Sequence, residues 1–147
     1  MSEQEIALVT GGSGYFGTTL VRRLTAENYQ VRVLDLNYPD NPEPTVEYIV
    51  GDICDLGVCL TATTGVMVVF HNVAQVPLAN DSKKFTEVNI GGTKNICDAS
   101  VRSGVKNFIY TSSSAVYGIP YKLPVMNDDP KIPVEDYGRA KLEGELI

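Results

Sequence analysis

The segment Tyr137-Gly138-Arg139-Ala140-Lys141 sets a phenol and an ammonium four residues apart, a spacing that places both side chains on one face of a helix. A free tyrosine is a poor base near neutral pH, because its unperturbed pKa is about 10. A neighbouring lysine cation favours the phenolate and lowers that value, so the phenol becomes a usable acid and base. An ordinary surface helix produces the same spacing, and the pair alone decides nothing. Upstream, Tyr110-Thr111-Ser112-Ser113-Ser114-Ala115-Val116-Tyr117-Gly118 offers a run of hydroxyls. At the carboxyl end of a strand in an open α/β sheet, where ligands bind, such a hydroxyl can hydrogen-bond a substrate oxygen. Serine runs are also plain loop material.

A third chemical element lies near the start. Thr10-Gly11-Gly12-Ser13-Gly14-Tyr15-Phe16-Gly17 satisfies G-x-x-G-x-x-G through Gly11, Gly14 and Gly17, and G-x-G-x-x-G through Gly12, Gly14 and Gly17. The spacing suits a tight turn, a backbone that approaches a pyrophosphate, and a helix packed closely on its strand. The helix that opens at Tyr15 and Phe16 would offer free amides and the positive end of its dipole to the phosphates. Asp35 follows 18 positions after Gly17, at the end of the next strand, where a carboxylate can accept both ribose hydroxyls of an adenosine. A 2′-phosphate would meet that carboxylate, so the pattern predicts NAD. NADP remains the alternative, with Arg32 as the cation that would have to reach round.

These groups need a scaffold, and the hydrophobic pattern supplies one. Ile6 to Val9, Val31 to Leu34, Val46 to Val50, Val66 to Phe70 and Phe108 to Tyr110 read as buried strands. Phe16, Leu20, Val21 and Leu24 recur at helical spacing after the glycines. Phe85, Val88, Gly92, Ile96 and Ala99 mark one face of a long helix ending near Gly104. Alternation of this kind predicts β-α-β units and a parallel sheet, α/β in class and doubly wound in the Rossmann manner. Asn37 to Pro44 reads as a loop, and Gly118 to Asp136, with four prolines, as a long one. A last helix begins near Pro133 to Tyr137 and carries the Tyr/Lys pair.

Together these segments resemble the extended short-chain dehydrogenase/reductases, in particular the nucleotide-sugar epimerase/dehydratase family. The resemblance runs in family order over the whole chain, residues 1–147, as a single NAD(P)-binding Rossmann domain. It comprises Thr10 to Gly17, Asp35, Gly51-Asp52-Ile53, Phe70 to Ala74, Val88 to Thr93, Thr111 to Gly118, and Tyr137 to Lys141. It implies that Gly11, Gly14 and Gly17, with Tyr15 and Phe16, hold the pyrophosphate and Asp35 the ribose. Asp52 and Ile53 would flank the adenine, and Val73 and Ala74 would line the nicotinamide side. Asn89 would support the groove. Ser113, three before Val116, matches the catalytic hydroxyl, Tyr137 the acid/base, and Lys141 the cation that tunes Tyr137 and holds the nicotinamide ribose.

The implied chemistry is hydride exchange at a sugar hydroxyl carbon, by an epimerase or a dehydrogenase. A hydroxysteroid-type alcohol dehydrogenase and a non-catalytic NAD-binding module are the competing readings. Ser114 and Ala115 stand where the family's dehydratases carry an Asp-Glu pair, which argues against dehydration. The family's C-terminal substrate-binding domain has no counterpart in this sequence, and a homodimer through its two long helices is implied. His71, the only histidine, ends a buried strand in a segment whose family counterpart is structural.

Composition narrows the classes further. A net charge of −6 argues against nucleic acid, whose binding rests on clustered cations. The N-terminal residues lack the basic start and apolar core of a signal peptide, and Val66 to Phe70 could not span a bilayer. Cys54, Cys59 and Cys97 have no metal-ligand spacing and cannot all pair, so reduced thiols in a cytoplasmic protein, with no metal, are expected.

Overall fold

The computed structural model describes residues 5–75 and 82–147, with only the backbone of Ser82. Five parallel strands form one sheet: β1 (Ile6–Thr10), β2 (Gln30–Asp35), β3 (Glu47–Val50), β4 (Val68–His71) and β5 (Asn107–Tyr110), in the order β3-β2-β1-β4-β5. The chain first winds outward from β1 to β3, then returns to β1's other side with β4. The crevice between β1 and β4 is therefore the point where the winding reverses, and ligands bind there in such sheets.

Both faces of the sheet are buried because alternate residues of β1 feed two cores. Ala7 and Val9 pack with Val21, Leu24, Val31, Val33 and Val68 beneath α1 (Tyr15–Ala26). Leu8 packs on the opposite side with Leu34, Ile53, Cys59, Val69 and Ile96, beneath α2 (Leu56–Thr63) and α4 (Thr93–Arg102). This two-sided burial is why the strands carry no polar alternation. Phe16 departs from the helical stripe of α1 and stays 57% exposed. It lies in the first turn, before the helix has descended onto the sheet.

The helix α2 has no counterpart in the sequence reading. Leu56 to Thr63 is apolar on most sides and contains Gly57 and β-branched residues, so it shows neither helical period nor strong propensity. Its local signal is the cap: the Asp55 carboxylate accepts from the amides of Gly57 at 2.8 Å and Val58 at 3.3 Å. Arg32 seals the other end, donating to the carbonyls of Ala62 and Thr64 at 2.8 Å each while pairing with Glu47 at 2.7 Å.

The long helix predicted after β4 is interrupted. A short α3 (Ser82–Thr86) passes into a π-helical turn (Glu87–Gly92) before α4. The wider turn brings Asn89 to 3% exposure beside Gly92 and Thr93, which are also buried. Single π turns inside helices recur at functional sites. After β5 comes a 3₁₀ turn (Ser114–Tyr117), then residues 118–135 without helix or strand, then α5 (Asp136–Leu146).

His71 is the buried hinge of this arrangement. Its register partners are Thr10 on β1 and Tyr110 on β5, at the carboxyl edge of the sheet. Burial pushes its pKa down to about 3, with the Lys141 charge adding to the effect, so the ring is neutral. The Thr93 hydroxyl donates to the Asn89 carbonyl at 2.7 Å, so Nε2–H must donate to Thr93 at 3.0 Å. Nδ1 then accepts from the Thr10 hydroxyl at 2.6 Å. A His71→Leu substitution would leave the Thr10 hydroxyl proton without its acceptor and take a donor from Thr93, and is expected to cost about 2–4 kcal/mol in urea denaturation. The unfolded chain takes up the imidazole proton near pH 6.5 and the native chain does not. Stability should thus be intact above 6.5 and fall as pH drops towards 3, by up to about 1.4 kcal/mol per unit. That slope should be missing from the variant.

Candidate active site

The glycine loop leaves β1 at the reversal point and turns back under α1. Gly11 has φ +71°, and a Cβ there would press on the Val73 backbone at 3.2 Å. At Gly17 a Cβ would overlap the Gly11 carbonyl, so the loop and helix close only on glycine. Gly14 differs: its nearest neighbour would be the Gly11 oxygen at an ordinary 3.4 Å. The chain's own packing does not require glycine at 14, which leaves the outer face of the loop free for a ligand to approach. No side chain caps α1, so the first-turn amides at Tyr15, Phe16 and Gly17 face the same open region. Tyr15 is almost fully exposed.

Asp35 is held rather than free-swinging. Its two oxygens accept from the amides of Ser13 at 3.1 Å and Asn37 at 3.0 Å, which ties β2's end to the glycine loop. A cleft beside it is lined by Asp35, Leu36, Asp52, Ile53, Val73 and Val88. Asp52 is fixed by the amide of Cys54 at 2.8 Å. Ile53 contributes less than its neighbours, because its side chain is buried against the position of Gly92. The slot is mostly apolar, with the carboxylates of Asp35 and Asp52 in its lining, which suits one face of an adenine and the adjoining ribose, so the residues present suit a dinucleotide. Arg32, held by Glu47 and the end of α2, is not available to a 2′-phosphate there.

On the other side of the crevice, residues 72–75 leave β4 past Gly11. Val73 and Ala74 are half-buried along this path. Asn89 does not reach outward: its carboxamide accepts from the Gln75 amide at 2.8 Å and donates to the Gln75 carbonyl at 2.9 Å. It supports the groove by clamping its wall.

The reacting groups predicted from sequence converge at the carboxyl end of β5. A Cβ on Gly138 would meet the Ala115 carbonyl at 2.5 Å, and one on Gly144 would overlap the Tyr110 hydroxyl. These two glycines let α5 approach the Ser113 segment closely and bring Tyr137 and Lys141 with it. Lys141 is 2% exposed; its Nζ donates to the Thr111 carbonyl at 2.8 Å and sits 4.8 Å over the Tyr110 ring and 5.9 Å over the Tyr137 ring. Burial lowers its pKa to about 8.

The three serines separate by their partners. Ser112 donates to Glu145 at 2.6 Å, and Ser114 opens the 3₁₀ turn. Ser113 accepts from the Ala115 amide at 3.2 Å, which leaves its own proton to donate elsewhere. Tyr110, to which sequence reasoning gave no role, stacks on His71 at 5.7 Å and floors the Lys141 ammonium. Burial, then the proximity of Tyr137, raises its pKa to about 12, so it stays a neutral phenol and does not compete as the base. Asn72 was also missed; it accepts from the Thr111 hydroxyl at 2.6 Å and couples β4's end to the carbonyl under Lys141. Neither residue has a spacing signal, because both act through contacts between strands.

A parallel sheet that reverses at a glycine loop, with a serine, tyrosine and lysine gathered at its carboxyl edge, defines a dinucleotide-binding fold of the dehydrogenase/reductase kind. The sequence pattern of the NAD dependent epimerase/dehydratase family matches residues 7–147, and the chain belongs to that family. It is 52% identical over 141 residues to an uncharacterised protein of Sinorhizobium fredii, covering 96% of this chain and 36% of that protein. A 3 beta-hydroxysteroid dehydrogenase/Delta 5→4-isomerase of Mycobacterium tuberculosis is 38% identical over 74% of this chain and 32% of its own length. The UDP-glucose 4-epimerase of Lactobacillus helveticus is 33% identical over 95% of this chain and 45% of its length. A crystal structure of a short-chain dehydrogenase/reductase superfamily protein from Agrobacterium tumefaciens with bound NAD superposes with a TM-score of 0.90 at 34% identity. It covers 97% of this chain and 43% of that one. The chain thus spans between a third and a half of the length of these relatives. Among the described residues no helix is long and apolar enough to cross a membrane, and no cluster of side chains could hold a metal.

Proposed function

We propose that this chain is the NAD-binding part of an enzyme that exchanges hydride at a secondary alcohol carbon of a nucleotide sugar, as an epimerase or a dehydrogenase. The observation that carries this reading is the buried Lys141 ammonium, bonded to the Thr111 carbonyl two residues before Ser113 and set near the Tyr110 and Tyr137 rings. Burying a cation costs stability. Holding a cofactor ribose is one use of that ammonium, and its place near the Tyr137 ring, whose phenolate a cation favours, adds a catalytic one. Bound NAD would supply the hydride acceptor. Tyr137 would take the proton of the substrate hydroxyl, Ser113 would donate to the same oxygen, and Lys141 would hold the nicotinamide ribose. Asp35 would hold the adenosine ribose.

Support for a sugar nucleotide comes from the UDP-glucose 4-epimerase relative, which matches nearly the whole chain. A hydroxysteroid alcohol is the second reading. It is favoured by the higher identity of the steroid dehydrogenase and by a cavity of about 250 Å³ lined mainly by apolar groups such as Tyr117, Ile119, Val125 and Ile132, with the Lys122–Asp129 ion pair also in its wall. Turnover on UDP- and GDP-sugars against 3-hydroxysteroids, measured on the natural reading frame that carries this chain, separates them. Activity on steroids alone would replace the first reading by the second.

Cofactor choice is testable on the chain itself. Calorimetry should show NAD binding at least about tenfold tighter than NADP, because the 2′-phosphate would face Asp35 while Arg32 is engaged at the end of α2. Asp35→Ala should weaken NAD and narrow that gap. Equal affinities in the unmodified chain would remove Asp35 from cofactor selection. The reading also includes a cytoplasmic setting, supported by three free thiols, and a homodimer through α4 and α5, supported by Val101 at 81% exposure on α4. Sedimentation as a clean monomer would count against the dimer.

A further inference from the structure

Gln75 carries a feature that the reading above does not use. Its side-chain oxygen Oε1 is buried and, among the described residues, has no hydrogen-bond partner. A buried carbonyl left unsatisfied costs stability, and native structures seldom keep one without a reason. Nor is this side chain on a loosely held segment. Asn89, itself buried in the π-helical turn, fixes the Gln75 backbone through both its amide and its carbonyl. Gln75 stands four residues beyond His71 on the path that leaves β4 past Gly11, on the far side of the reversal crevice from Asp35.

We propose that Gln75 is a cofactor-binding residue whose side-chain carbonyl accepts a hydrogen bond from the carboxamide N–H of the nicotinamide. The inference rests on the NAD reading and extends it to a residue on the nicotinamide side. Two considerations select this donor. An orphan acceptor calls for an N–H or O–H group on the ligand. On the nicotinamide half Lys141 would hold the ribose hydroxyls as acceptors of its N–H groups, whereas the carboxamide NH₂ carries two N–H donors for which no residue named above is an acceptor. The clamp by Asn89 then has a purpose: it fixes the Gln75 backbone in the groove wall, so that turning one side chain is enough to present the acceptor.

The test uses three ligands with this chain in calorimetry: NAD, ADP-ribose, and 3-acetylpyridine adenine dinucleotide, in which a methyl replaces the carboxamide NH₂. The unmodified chain should bind NAD about five- to tenfold tighter than the acetylpyridine analogue, the range for one hydrogen bond. Gln75→Leu should abolish that preference while ADP-ribose affinity stays unchanged, and should raise the melting temperature of the ligand-free chain. Equal binding of NAD and the analogue by the unmodified chain would overturn the proposal, and this comparison needs no variant to fold. A preference that survives in Gln75→Leu, or a parallel loss of ADP-ribose affinity, would overturn it too. In each of these cases ADP-ribose binding by the unmodified chain leaves the NAD reading standing. If that chain binds none of the three ligands, the NAD reading itself falls, and the Gln75 proposal with it.

Discussion

Replacing Tyr137 by Phe is expected to lower turnover by about 10²- to 10⁴-fold, the range for loss of a positioned proton acceptor. The substitution removes one oxygen and keeps the ring. The Lys141 ammonium, 5.9 Å from the centre of that ring, keeps its surroundings, and Gly138 keeps its fit against Ala115. NAD affinity and melting temperature should therefore change little, and the loss should fall on kcat. Ser113→Ala should cost less, because it removes a hydrogen bond to the substrate oxygen and leaves the proton acceptor in place. Both are measured on the natural reading frame that carries this chain, with the sugar or steroid that it turns over. Undiminished turnover in Tyr137→Phe would take the phenol out of the mechanism.

The second large effect concerns Lys141, where stability and function should move in opposite directions. Its pKa falls from 10.5 to about 8 because burial disfavours the charge. At about 1.4 kcal/mol per unit, the folded protein carries a cost on the order of 3 kcal/mol for keeping this group protonated at neutral pH. Between pH 8 and 10.5 the unfolded chain binds the proton and the native chain does not, so stability should rise with pH across that window. Below 8 the cost is constant and at its full size. Lys141→Met keeps most of the unbranched stem while removing the charged end atom, at the loss of its hydrogen bond to the Thr111 carbonyl. It should raise the melting temperature at pH 7, flatten the rise between pH 8 and 10.5, and weaken NAD binding. On the natural reading frame that carries this chain it should reduce turnover by at least about a hundredfold. A variant no more stable than its parent would mean that the ammonium is better solvated than its burial implies.

Much of the scaffold was legible in the sequence. Strands buried on both faces must be apolar throughout, and all five strands appear within two residues of their predicted bounds. The helix α2 was not legible, since a short helix with apolar residues on most sides has no period to detect. Its cap, Asp55, was the one available sign. The π-helical turn was invisible for a related reason. Val88, Gly92 and Ile96 fit an ordinary helical stripe, and only contact with Gln75 and His71 shows why Asn89 and Thr93 turn inward.

The Tyr137/Lys141 pair on which the sequence reading opened shows where the boundary falls. Residue type and spacing alone determined that a phenol and a cation share a helix face, that a glycine loop precedes a helix, and that a carboxylate ends the next strand. These are local facts, set by 3.6 residues per turn and by the conformations that glycine permits. The tertiary structure decided that Ser113 keeps its proton free while Ser112 is tied to Glu145, and that Arg32 caps a helix instead of meeting a phosphate. It also decided that Lys141 lies buried over Tyr110, and that the side-chain carbonyl of Gln75 has no partner among the described residues. Each of these depends on which atoms from distant parts of the chain exclude water together. Burial and hydrogen-bond partnership are properties of the packed whole, and no spacing along the chain encodes them.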